Sequence, residues 1–131
     1  MDDLKSINDC IHDKKVVSYT VNIKDKKIQL NIEENISIIF DNVLAHKFNH
    51  VILDNILFNI EEISISDYIQ NNKEILDELL KYSYPTYAKN CNELKIQLDD
   101  NRYKIFIIYS SLGLNGNVIA KNIQLKIWQC R

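Results

Sequence analysis

His46 and His50 lie four residues apart, a spacing that sets both imidazoles on one face of a helix. With Asp41 or Asp54 as a third donor they would form a nitrogen and oxygen set of the kind a divalent metal accepts. The intervening Ala45-His46-Lys47-Phe48-Asn49-His50 lacks the glutamate that a zinc-protease helix uses as its base, and a strand would also place the two rings on one face. His46 and His50 therefore stand as an outside metal candidate, and no cofactor is expected. Nucleophiles are equally unmarked. Ser110-Ser111 precedes a glycine-containing turn without the flanks of a nucleophile elbow, and Cys91 follows Pro85 in a polar stretch with no activating motif. The acid pairs Glu33-Glu34, Glu61-Glu62 and Asp99-Asp100 are adjacent in sequence, so on a strand each pair points to opposite faces and reads as a solvated turn. The expectation is a protein that is not an enzyme, with no catalytic residue.

Recognition has better material. In Lys81-Tyr82-Ser83-Tyr84-Pro85-Thr86-Tyr87 three of the seven tyrosines fall within six residues, after a helical pattern. Tyrosine brings a large, stiff contact area with a polar tip, which suits a protein interface. Packing of the same rings between helix and sheet is the competing use. Glu61, Glu62, Asp99 and Asp100 add negative charge that would complement a basic partner and speed encounter. Tyr82, Tyr84, Tyr87 and these four acids are the predicted partner-binding residues.

The chain that must position them has 131 residues, a formal charge of -2 and 46% hydrophobic residues, which suits one folded domain over residues 1–131. A pI near 5.9 and only two arginines, Arg102 and Arg131, argue against a nucleic-acid partner. The 22 Ile, 16 Asn and 14 Lys read as an AT-rich coding sequence, a bacterial hint. Cys10, Cys91 and Cys130 are odd in number and form no CxxC pair, so neither a disulfide framework nor a cysteine zinc site is expected. The N-terminus has no apolar signal segment and no apolar run approaches the about 18 residues that span a bilayer. These features predict a cytoplasmic protein without a membrane association.

Periodicity predicts the elements. Leu4, Ile7 and Ile11 fit a short amphipathic helix with Asp2 or Asp3 as cap. Val17, Tyr19, Val21 and Ile23 alternate with polar residues, Lys24–Lys27 interrupts, and Ile28, Leu30 and Ile32 resume, which describes a hairpin. Ile36, Ile38 and Phe40 start a third strand, and residues 41–51 read as a loop or single turn. Val51 to Ile65 reads as a long strand with a bulge near Glu61-Glu62, and Asp67 to Tyr82 as a helix begun by an Asp67/Gln70 capping box and ended by Pro85. Leu94, Ile96 and Leu98 alternate as a strand, Tyr103 to Tyr109 reads as a central strand, and Val118 to Trp128 as a last one. Gly113 and Gly116 mark a turn that needs positive φ at two places. The sum is a single α+β domain: a mainly antiparallel, curved or partly closed sheet of about six or seven strands with two helices.

The segments Phe40-Asp41-Asn42-Val43-Leu44-Ala45-His46-Lys47-Phe48, Asn55-Ile56-Leu57-Phe58-Asn59-Ile60-Glu61-Glu62 and Ser110-Ser111-Leu112-Gly113-Leu114-Asn115-Gly116-Asn117-Val118-Ile119-Ala120 resemble the pattern in small bacterial immunity proteins encoded beside polymorphic or contact-dependent toxins. The resemblance implies a binding protein that neutralises a cognate toxin domain by stoichiometric occlusion, without turnover. It transfers no toxin-contacting residue. Two alternatives stand beside it: a small-ligand carrier whose curved sheet encloses an apolar pocket of about 300 Å³ or more, and a metal-assisted hydrolase built on His46 and His50.

Overall fold

The computed structural model describes residues 3–128 as an α+β fold, so Asp2, Cys130 and Arg131 lie outside the described residues. In chain order the elements are α1 (Leu4–Ile11), β1 (Lys15–Asn22), β2 (Lys27–Ile32), β3 (Ile36–Asp41), β4 (Ala45–Asn49), β5 (Asn55–Ile63), α2 (Ile65–Asn71), α3 (Lys73–Leu80), α4 (Cys91–Asp100), β6 (Lys104–Leu112), β7 (Asn115–Ala120) and β8 (Asn122–Ile127). The strands form one antiparallel sheet in the order β4-β7-β6-β5-β1-β2-β3-β8. It does not close, because β4 and β8 remain its two edges.

The sheet is folded over on itself. Phe40 of β3 and Phe106 of β6 are four strands apart in the pairing order, which in a flat sheet means about 19 Å at about 4.8 Å per strand. Their ring centroids are 5.6 Å apart. The crease lies between β5 and β1, which pair only through Lys15↔Ile56 and Val16↔Asn55. On either side of it, β4-β7-β6-β5 and β1-β2-β3-β8 face each other across a core that includes Leu30, Ile38, Phe40, Phe106 and Val118. Alternation along β6 and β7 explains their apolar composition: Phe106, Ile108, Val118 and Ala120 turn into this core, while Ile105, Ile107 and Ile119 turn outward. There they meet α2, α3 and α4 through Tyr68, Leu76, Leu80, Leu94 and Leu98. The α+β class is as the periodicity indicates; among the described residues the counts are eight strands and four helices.

α1 forms as expected, capped by Asp3, with Ile7 and Ile11 buried. Its Asn8 acts as a substitute strand: Nδ2 donates to the Ile60 carbonyl at 2.9 Å and Oδ1 accepts from the Ile60 amide at 2.8 Å. The β1–β2 hairpin also forms, but Val17 is a bulged residue, since Val16 pairs with Ile32 and Ser18 with Asn31. Val16 is the buried residue at this end, and Ile23 lies beyond the strand and is exposed. The bulges of β5 fall at residues 56–59, not at Glu61-Glu62. This shift buries Leu57 and Ile60 and leaves Phe58 outward.

Three sequence assignments change. Residues 41–51 contain β4, whose short pattern of mixed Ala, His, Lys, Phe and Asn carries no alternation strong enough to read. The stretch from Asp67 is two helices broken at Asn72, and its true cap is Ser64, whose side chain accepts from the Asp67 amide. The Leu94-Ile96-Leu98 segment is α4, with Leu94 and Leu98 buried four residues apart and Ile96 exposed. Asn90 caps it by accepting from the Glu93 amide, while the Lys89 amide donates to Glu93 Oε2. Finally, the last predicted strand is β7 and β8, separated at Lys121 where the chain crosses between the two halves.

Both glycines have the positive φ expected of them, 79° at Gly113 and 149° at Gly116. A Cβ at Gly116 would stand 1.9 Å from the Lys47 carbonyl oxygen, so only glycine lets β4 and β7 approach. Gly113 leaves room for Asn55, whose buried Oδ1 accepts from the Leu114 amide at 2.8 Å and the Ile52 amide at 3.0 Å. That amide thereby ties the β4–β5 loop to the β6–β7 turn.

Candidate functional site

The candidate metal ligands are dispersed. His46 lies on β4, half-buried against Phe48, with ring centroids 5.1 Å apart. His50 follows the strand in a left-handed conformation, and its Nδ1 meets Asn115 Oδ1 at 3.3 Å. Asp41 is engaged by Lys27 at 3.3 Å and by Gln124 at 2.9 Å, and Asp54 by Lys15 at 3.2 Å. Among the described residues no three His, Cys, Asp or Glu side chains are grouped to share a metal ion, which removes the constellation built on His46 and His50. Burial pushes the His46 imidazole below its ordinary pKa, so the ring is neutral at pH 7.

The nucleophile candidates are satisfied structurally. Ser110 and Ser111 belong to the end of β6, not to a loop; their hydroxyls donate to the carbonyls of Leu114 and, at 3.4 Å, Ile56. Cys91 opens α4 and is buried, its thiol donating to Asp77 Oδ1 at 3.3 Å. Burial and the neighbouring carboxylate both raise its pKa, the reverse of what a reactive thiolate requires.

The predicted partner-binding residues divide. Tyr82 and Tyr87 are 77% and 89% exposed, on the segment joining α3 to α4. Tyr84 turns inward: its hydroxyl is buried without a hydrogen bond, and burial raises its pKa to about 12. Tyr84 is thus a packing residue, while Tyr82 and Tyr87 keep the exposure a contact needs. Thr86 shares a cavity with Gln97, Leu98 and Asn101, which sets the tyrosine segment beside the C-terminal end of α4, where Asp99 and Asp100 stand. These two acids are on a helix instead of in a turn. Asp99 holds Lys95 at 2.8 Å, whereas Asp100, Glu61 and Glu62 are exposed and in no ion pair among the described residues.

Two features were not read from the sequence. One is charge segregation: residues 65–100, which carry α2, α3 and α4, contain seven Asp or Glu and four Lys, a net of -3 against -2 for the whole chain, and Glu61 and Glu62 stand next to them at the end of β5. The counts were available in the sequence, but only the helical assignment of residues 91–100 makes the segment one layer. The other is a cavity of about 290 Å³ lined from β1, β2, β4 and the segments beside them. Its residues come from separate stretches of chain, and no local spacing announces them.

No helix of the described residues is long and apolar enough to cross a membrane. Comparison with models of known protein families and with curated proteins gives no match.

Proposed function

We propose that this protein is a stoichiometric inhibitor that binds a basic partner protein, a cognate toxin domain, through its acidic helical layer. The observation that carries the reading is the joining of two features on that layer: a net charge of -3 over residues 65–100, with Glu61 and Glu62 of β5 adjoining it, and the two largely exposed rings of Tyr82 and Tyr87. Acidic side chains raise the encounter rate with a basic surface and reject acidic ones. Exposed tyrosines supply the contact area, since their few rotatable bonds cost little to order. Inhibition then follows from occlusion of the toxin's active site or substrate groove, without turnover or cofactor.

The test starts with tagged protein, capture from native lysate and mass spectrometry of whatever is retained in near-equal amount. The pair is then rebuilt from purified components, and its affinity is measured at low and high salt. Tyr87→Ala should weaken binding roughly thirtyfold, as loss of about 2 kcal/mol at an aromatic hot spot does. Asp100→Lys should slow association, with the difference shrinking as salt rises. The partner's toxicity should be relieved by the wild type and not by the double variant. A partner that is not basic, or an affinity indifferent to salt and to both substitutions, rejects the reading.

A further inference from the structure

The cavity of about 290 Å³ opens where the β1–β2 turn faces the start of β4. Its wall is largely apolar, formed by Val21, Ile28, Val43, Leu44 and the backbone neighbourhood of Ala45, with the ring of Tyr103 to one side. Its polar lining residues are Asn22, Lys26, Lys27, His46 and Tyr103, and the charged ones among them, Lys26 and Lys27, are both positive. Lys26 and Lys27 stand exposed at the mouth, and the half-buried His46 forms part of the wall.

The charges around it do not cancel. Asp41 already receives Lys27 at 3.3 Å and Gln124 at 2.9 Å. Asp25, on the same turn as Lys26, is held by Asn22, whose Nδ2 donates to its carboxylate at 3.0 Å. Lys26 is in no ion pair among the described residues, and Lys121 places its ammonium 5.2 Å from the centroid of the Tyr103 ring. Asn22 is neutral and leaves the Asp25 charge in place, so Lys26, Lys27 and Lys121 against Asp25 and Asp41 give the mouth a net charge of +1 above an apolar recess. This arrangement matches small-molecule sites, which are apolar concavities with a few polar groups that fix orientation; its volume lies at the lower end of the about 300–1,000 Å³ such sites span.

We propose that this cavity binds a small amphipathic carboxylate, with the apolar body between Val21, Ile28 and Val43 and the carboxylate at Lys26. Charge complementarity selects the occupant: an ammonium headgroup would be repelled by Lys26, while a carboxylate meets Lys26 as counter-ion and leaves Lys27 on Asp41. The site lies away from Tyr82 and Tyr87, although its Leu44 and Tyr103 also line the recess beside Thr86 and the end of α4.

The probe is octanoate, titrated into ¹⁵N-labelled full-length protein with octylammonium as the matched cation. Octanoate should produce saturable shifts at the amides of residues 21–28 and 43–46, and octylammonium should bind more weakly. Lys26→Glu, a change on an exposed turn residue that the core does not contact, should weaken octanoate roughly fivefold and narrow the preference for the anion. Absence of saturation by octanoate overturns the proposal. So does octylammonium binding as tightly, or an octanoate affinity unchanged by Lys26→Glu.

Discussion

His46 is the residue at which position and protonation meet most directly. Its ring is half-buried on β4 beside Phe48, and burial disfavours the imidazolium, so the folded protein resists the proton that the unfolded chain accepts near about pH 6.5. Between that pH and the lowered folded value the unfolded chain binds more protons, and stability therefore falls as the solution is acidified through this window. His46→Gln removes the titration while keeping a polar side chain of similar length. The urea midpoint of the wild type should consequently fall further between about pH 7.5 and about pH 5 than that of His46→Gln. Equal losses in the two proteins would mean that His46 is protonated as freely when folded as when unfolded. The same burial bears on the sequence reading: two histidines at metal-ligand spacing are separated by local backbone, since His50 takes a left-handed conformation after β4 ends. Spacing alone does not carry that turn.

At the scale of elements, α1 is fastened to β5 through one side chain. Asn8 satisfies both the amide and the carbonyl of Ile60, beyond the bulged stretch at residues 56–59, whose Ile56 makes the last β5 pair with β1. Asn8→Ala should destabilise the protein by about 2 kcal/mol, because two buried backbone groups lose their partners. Asn8→Asp should fail to rescue it, since a carboxylate oxygen would face the Ile60 carbonyl where an amide now donates. Urea unfolding measures the cost, and faster hydrogen exchange at the Ile60 amide would locate it. The elements also show where a sequence reading succeeds. α1, β2, β3 and β6 are legible because each has an apolar rhythm that agrees with its burial, whereas in β1 the bulge at Val17 leaves Val17 and Tyr19 exposed and buries Val16. α4 is not legible, because Leu94, Ile96 and Leu98 satisfy a two-residue alternation even though Leu94 and Leu98 alone are buried. Its decisive signal was the Asn90 and Glu93 cap, a helix start that outweighs three alternating residues. Likewise Ser64, with Asp67 three residues later, marked the start of α2 better than Asp67 itself. For the tyrosine segment the sequence leaves contact and packing open: Tyr82 and Tyr87 are exposed, and whether Tyr84 faces in or out depends on the cavity it shares with Tyr68 and Asn117, a contact between distant segments.

For the molecule as a whole the crease between β5 and β1 sets the question of cooperativity. Two residue pairs and the adjoining backbone bonds of Leu57 to Lys14 and Asp13 make a short hydrogen-bonded junction, which by itself is a small link between the two halves of the sheet. The apolar core between the halves is the larger link, and Phe40 against Phe106 is near its centre. Burial of Phe40 in the half that holds β3 is therefore stabilised by residues of the opposite half, which couples the two. Trp128, the single tryptophan, reports on the first of these halves because its indole donates to Ser37 of β3 at 2.8 Å. Circular dichroism reports on the whole backbone. In the wild type the fluorescence and dichroism transitions in urea should coincide. Phe40→Ala should move both together, by about 3–5 kcal/mol, whereas Val17→Ala on the exposed bulge should stay within about 0.5 kcal/mol. Separation of the two transitions in Phe40→Ala, with Trp128 released first, would show that the halves are stabilised independently and that the face-to-face core only aligns them. Coincident loss means that the acidic helical layer on one half and the cationic cavity between the halves depend on the same packed interior.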